Sequence, residues 1–117
     1  MSTKNMGIST HVLDLTSGRP AAALAVTLSR LIEETWSVLY VTATDNNGRV
    51  ATLLPESYSL AAGTYRIQFD TSGYFSQRRA ACLYPYIDIT FEVRDAAEHY
   101  HIPLLLTANG YTTYRGS

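Results

Sequence analysis

Thr64-Tyr65-Arg66-Ile67-Gln68-Phe69-Asp70 decides the fold class. Successive side chains of an extended strand point to opposite sides, so Tyr65, Ile67 and Phe69 share one face, and Thr64, Arg66 and Gln68 share the other. The same period of two returns at Ile87, Ile89, Phe91 and Val93, set beside Asp88, Thr90 and Glu92. A strand with one apolar and one polar face belongs to a sheet that packs on one side and meets water on the other.

Outward from these two segments, turn signals recur at short, regular intervals, as in an all-β sandwich. They are Thr16 to Pro20, Asp45-Asn46-Asn47-Gly48, Leu54 to Ser57, Ala61-Ala62-Gly63 and Ala108-Asn109-Gly110. Asp45 to Gly48 carries the hairpin chemistry of Asn-Gly. The runs between them predict eight strands: Ile8 to Asp14, Ala23 to Glu33, Ser37 to Thr44, Arg49 to Leu53, Thr64 to Asp70, Tyr86 to Val93, His99 to Leu106 and Tyr111 to Arg115. Gly73 to Ala81 lacks alternation and follows the capping residues Asp70-Thr71-Ser72, which predicts one short helix. Pro103 interrupts an apolar strand and predicts an edge or a bulge. The apolar run after it predicts cover by a partner subunit, and hence a symmetric oligomer.

The 117 residues, 46% hydrophobic and 16% charged, predict one globular domain over 1–117 with its own core. A net charge of −1 with no basic run offers nothing to a nucleic acid. The start of the chain, Met1 to Gly7, has no apolar signal-peptide core, and no stretch is long enough to span a membrane. A cytoplasmic location is the expectation. Cys82 is the only cysteine, so Cys-rich zinc patterns are excluded, and the thiol is expected to be packed rather than reactive.

The chemistry-bearing residues gather near the end of the chain. Residues two apart on a strand project together, so His99 and His101 share a face that Pro103 and Leu105 continue as an apolar wall. Such a wall disfavours the imidazolium and suits a neutral base near pH 7. His11 lies in an apolar strand and Arg49 follows a tight turn; taken alone, the residues favour a structural histidine and a solvated strand-start charge. His-x-His is a zinc geometry, but no third ligand is adjacent. Tyr114-Arg115-Gly116-Ser117 combines an aromatic anchor, a planar donor fork and the carboxylate expected at Ser117. The residues alone reach a β-sandwich with a histidine- and arginine-bearing face.

Ser9-Thr10-His11-Val12-Leu13-Asp14, Ser17 to Ala21, Asn47-Gly48-Arg49, Gly63 to Arg66, Glu98 to Leu106 and Gly110 to Ser117 together resemble the 5-hydroxyisourate hydrolases, the transthyretin-related enzymes of purine catabolism. The resemblance implies a transthyretin-like two-sheet sandwich. It implies a homotetramer, a dimer of dimers, with no cofactor and no metal, that opens the six-membered ring of 5-hydroxyisourate. The product would be 2-oxo-4-hydroxy-4-carboxy-5-ureidoimidazoline, in urate degradation. It assigns catalysis to His11, Arg49, His101 and Ser117, and substrate binding to His11, Arg49, Tyr114 and Arg115, without saying which histidine is the base. Two other readings stand beside it. One is a transthyretin-like carrier of a small ligand, without catalysis; the other is a structural sandwich whose histidines bind zinc incidentally.

Overall fold

The computed structural model describes residues 7–117; Met1 to Met6, part of the segment expected to lack a signal-peptide core, lie outside the described residues. Strand β1, Gly7–Asp14, sets the frame. Its Ile8 and Val12 are fully buried in the core, while the alternate residues Ser9, His11 and Leu13 turn to the opposite face. Nine strands and one helix make up the described chain. Strands β2 (Arg19–Pro20), β3 (Ala25–Ile32), β4 (Thr35–Ala43), β5 (Arg49–Val50) and β6 (Gly63–Phe69) follow β1. After helix α1 (Thr71–Gln77) come β7 (Ile87–Val93), β8 (His99–Thr107) and β9 (Gly110–Thr113).

The strands form two sheets. One runs β2-β1-β8-β9, with the two-residue β5 also paired to β1; the other runs β4-β3-β6-β7. Ile8, Val12, Leu104 and Leu106 of the first sheet share one core with Val26, Leu28, Tyr65, Ile67 and Phe69 of the second. The two alternating segments quoted first are the neighbours β6 and β7, in antiparallel register from Gly63↔Val93 to Phe69↔Ile87. The sandwich is therefore the one the sequence pattern predicts, and no helix among the described residues is long and apolar enough to cross a membrane.

Strands β1 and β8 pair in parallel, Gly7↔His99 through Asp14↔Leu106. This register fixes the site, because it sets Ser9 opposite His101 and His11 opposite Pro103. On β8 the inward residues Tyr100, Ile102, Leu104 and Leu106 are buried. His99, His101, Pro103 and Leu105 therefore share the outer face, as the spacing predicts.

Four local expectations are corrected. The strand expected over Ala23 to Glu33 turns back at Glu33 and Glu34, both left-handed with φ of 50° and 68°, joining β3 to β4 at the Ile32↔Thr35 pair. Two positive φ values are those of a type I′ hairpin, which usually advertises itself with Asn or Gly. The Asp45 to Gly48 turn, by contrast, is no hairpin between paired strands: it carries the chain from β4 in one sheet to β5 in the other. Helix α1 is shorter than expected; Asp70 caps it by accepting from the Gly73 N–H at 3.0 Å, and the chain leaves it through Arg79 at φ 58°. The Tyr74 hydroxyl ties this helix to β1 by donating to Asp14 Oδ2 at 2.8 Å. Burial, reinforced by that carboxylate, pushes the phenol up to about 12.

Pro103 lies in an interior strand, not at an edge. Its carbonyl accepts from Thr113 Oγ1 at 2.7 Å on the β9 side, and in a strand the nitrogen of the same residue points the same way. The β9 ladder ends with the Leu104↔Thr113 pair, so no ladder bond is lost to the missing N–H. The apolar run beside it is mostly internal: Leu104 and Leu106 face the second sheet and are buried. Cys82 is half-buried and packs against the core.

Candidate active site

The outer face of the first sheet collects the titratable groups. His11 comes from β1, His99 and His101 come from β8, and Arg49 pairs with His11 across the β1–β5 ladder. Gly48 makes that last placement possible. At φ +74° it occupies left-handed space, and a Cβ there would run into the Val12 carbonyl oxygen. The turn is braced by Asp45, whose Oδ1 accepts from the backbone N–H of Asn47 at 2.8 Å and of Arg49 at 3.0 Å. Those two N–H groups, that of Arg49 foremost, hold the Asp45 carboxyl below its ordinary value.

Arg49, His99 and His101 border a cleft of about 320 Å³ lined also by Ser9, Asp45 and Ser117, with Thr10, Val50 and Ala51 completing the lining. His11 stands beside it, close enough to Arg49 and His101 for their charges to interact. Burial depresses the pKa of all three histidines. For His11 the Arg49 charge adds to burial; for His101 the other two histidines and Arg49 do so. Each is accordingly neutral at pH 7, able to accept or donate one hydrogen bond at each ring nitrogen. A larger groove of about 760 Å³, bounded by the 51–60 segment, meets the cleft at His99 but brings no comparable set of groups together.

The tail after β9 closes the cleft. The Gly116 N–H donates to the His101 carbonyl at 2.8 Å, laying the tail across the imidazole. A Cβ at Gly116 would sit 2.5 Å from His101 Cδ2 and 3.2 Å from both His101 Cγ and Pro103 Cγ. Only glycine lets the chain pass this close and set Ser117 into the lining. Arg115 points elsewhere. Its guanidinium donates to Glu98 Oε1 at 2.8 Å and to the His99 carbonyl at 3.2 Å, and it lies 4.4 Å over the Tyr100 ring. Within this chain it clamps the tail to β8 and does not line the cleft. Tyr114 is more than half exposed and likewise stands outside the lining.

One participant was not anticipated. Ser9 Oγ lies 2.8 Å from His99 Nε2 and 2.7 Å from His101 Nδ1, bridging the two imidazoles. The signal was present in the alternation, because Ser9 precedes His11 by two residues and so shares its face. What sequence lacked was the parallel register that sets it against His101. No group of three or more His, Cys, Asp or Glu side chains among the described residues is arranged to hold a metal ion.

Residues 8–116 match the HIUase/Transthyretin family. The chain belongs to that family. It is 40% identical over 119 residues to the 5-hydroxyisourate hydrolase of Mus musculus, covering 100% of both chains. The structure of Klebsiella pneumoniae 5-hydroxyisourate hydrolase superposes with a TM-score of 0.82 at 34% identity, covering 94% of this chain and 98% of that one. Sea bream transthyretin in complex with thyroxine superposes with a TM-score of 0.86 at 27% identity, covering 93% of each chain. Hydrolase and transthyretin thus share the HIUase/Transthyretin fold almost equally, and the choice between them rests on the site.

Proposed function

We infer that this protein is a 5-hydroxyisourate hydrolase, opening the six-membered ring of 5-hydroxyisourate to 2-oxo-4-hydroxy-4-carboxy-5-ureidoimidazoline in urate degradation. The observation that carries the reading is a cleft lined by His101, Arg49 and Ser117, with His11 close enough to interact with Arg49 and His101 and both histidines neutral. Ring hydrolysis needs a positioned water, a base for its proton and positive or donor groups where the carbonyl oxygen gains charge. The two histidines supply the proton chemistry, Arg49 holds the oxygen-rich ring through its planar fork, and Ser117 closes the cleft against His101. Relatives at full coverage bear the hydrolase name, which supports the same reading. A carrier would have to desolvate these polar walls without using them, at a cost its ligand would have to offset.

The chain acts as a single domain over 1–117, and the assembly we propose is a cytoplasmic homotetramer, a dimer of dimers. The exposure of Tyr114, three residues before the Ser117 that lines the cleft, supports a second subunit facing the site, where Tyr114 and Arg115 would meet substrate. A timed ultraviolet assay on freshly generated 5-hydroxyisourate tests the activity, comparing the intact chain with one lacking Tyr114 to Ser117. The intact chain should accelerate decay and the shortened one should not. Equal rates, or no acceleration over spontaneous decay, would refute the hydrolase reading.

A further inference from the structure

The hydroxyl between two imidazoles carries more information than its two distances. Ser9 is buried, and its Oγ has no polar partner among the described residues other than His99 Nε2 and His101 Nδ1. A hydroxyl donates one hydrogen and accepts through its lone pairs, and a neutral imidazole carries one N–H and one bare nitrogen. Distances do not place the protons, but donor capacity does. With both histidines neutral, the bridge has two self-consistent orders. Either His99 Nε2–H donates to Ser9 and Ser9 donates to His101 Nδ1, or every donor in that chain is reversed.

The far nitrogen of His99 decides between them. His99 Nδ1 is buried and has no hydrogen-bond partner among the described residues. The reversed order would put the His99 proton there, as a buried N–H with nothing to donate to. Orphaned N–H groups of this kind are rare in folded proteins, whereas an unfilled lone pair is better tolerated. The first order leaves only a lone pair. We propose that Ser9 and His99 are positioning residues that hold His101 as the tautomer protonated on Nε2, making it a hydrogen-bond donor to the reacting carbonyl and leaving His11 as the base. The ring's surroundings agree: Nδ1 faces Ser9 and the Cγ–Cδ2 side lies under Gly116, which leaves the Nε2–Cε1 edge for the cleft.

The catalytic part of this assignment rests on the hydrolase reading. The bare nitrogen of His11 takes a proton from water as the water oxygen bonds to a ring carbonyl carbon, and the carbonyl π pair moves onto oxygen. His101 Nε2–H and Arg49 stabilise that oxyanion. The pair then re-forms the carbonyl, the ring C–N bond breaks, and the leaving nitrogen takes the proton back from His11. His101 keeps its own proton throughout.

The test is nitrogen-15 NMR of the histidine side chains in the intact protein near pH 7, which distinguishes a protonated from a bare ring nitrogen without substrate. His101 should carry its proton on Nε2 and His99 on Nε2. Ser9→Ala should mix the His101 tautomers and lower kcat by about 10–100-fold with KM little changed, the usual cost of removing an orienting partner. Ser9→Thr, which keeps the hydroxyl, should restore both. His99→Glu, whose carboxylate can only accept, should invert the chain and move the His101 proton to Nδ1. A His101 proton on Nδ1 in the unaltered protein would overturn the proposal, as would a Ser9→Ala variant with unchanged kcat and unchanged His101 signals. If His99→Glu does not fold, the unaltered spectrum still decides. A protein inert toward 5-hydroxyisourate but with His101 protonated on Nε2 would refute the hydrolase reading while supporting the proton order.

Discussion

Replacing Gly116 by alanine adds one methyl group, and the structure sets what that methyl does. It would stand 2.5 Å from His101 Cδ2 and 3.2 Å from Pro103 Cγ, whereas carbon atoms in contact prefer about 3.5–4.0 Å. Roughly 1 Å of movement is therefore required. Pro103 is buried in β8 and cannot yield, and His101 is held by Ser9 at 2.7 Å, so either the imidazole is pushed off Ser9 or the tail lifts and takes Ser117 out of the cleft. A displacement of that size at a reacting group costs about 10²-fold in rate. Stability should hardly change, since at most the Gly116–His101 bond is lost, worth about 0.5–1.5 kcal/mol. The assay pairs the rate on fresh 5-hydroxyisourate with a thermal melt, using Gly110→Ala as the control; a Cβ at Gly110 meets only Thr107 Oγ1 at an ordinary 3.7 Å. A Gly116→Ala variant with unaltered kcat/KM would refute the claim that the tail must lie against His101.

Three further outcomes follow from the titrating and buried groups. The three histidines have depressed pKa values in the fold, so below the ordinary imidazole value of about 6.5 the unfolded chain binds more protons than the folded one. Their contribution to stability is present above that pH and falls as pH drops through about 6.5 toward the depressed values; urea melts across that range should show it, and a chain equally stable at pH 5 and pH 7 would contradict it. The acid limb of kcat/KM should likewise lie below about 6.5, reflecting neutral histidines in the free enzyme. Tyr74→Phe removes a donor from the buried Asp14 carboxylate and should cost about 1.5–3 kcal/mol, as for hydrogen bonds to charged groups, read from the denaturation midpoint with activity retained.

Much of this was legible in the sequence, for physical reasons that differ from residue to residue. Tyr65, Ile67 and Phe69 were read correctly because burial on one side of a sheet imposes a period of two on the chain. His99 and His101 were placed on one outer face by the same rule. Helix α1 was found through its cap, Asp70, although its end was not, because Arg79 adopts a left-handed conformation with no sequence sign. The Glu33-Glu34 turn was missed since two glutamates give no hint of positive φ. Pro103 misled because a proline is harmful in an interior strand only where its nitrogen faces a continuing ladder, and no local pattern shows where β9 stops. His11 and Arg49 were ambiguous by composition and became site candidates through the family resemblance. Ser9 and the outward turn of Arg115 depend on which strands pair and in what register, which local pattern does not contain.

The parallel pairing of β1 with β8 has a consequence for how the protein comes into being. Ser9 and His11 leave the ribosome well before the strand that completes their surroundings, which begins at His99. Contacts between such distant segments carry a loop-closure penalty before they return any stabilisation, and folds dominated by them form slowly. No early fragment can hold the His99–Ser9–His101 bridge. Recovery of activity on refolding should therefore coincide with closure of the first sheet, making the enzymatic rate itself a late clock for folding.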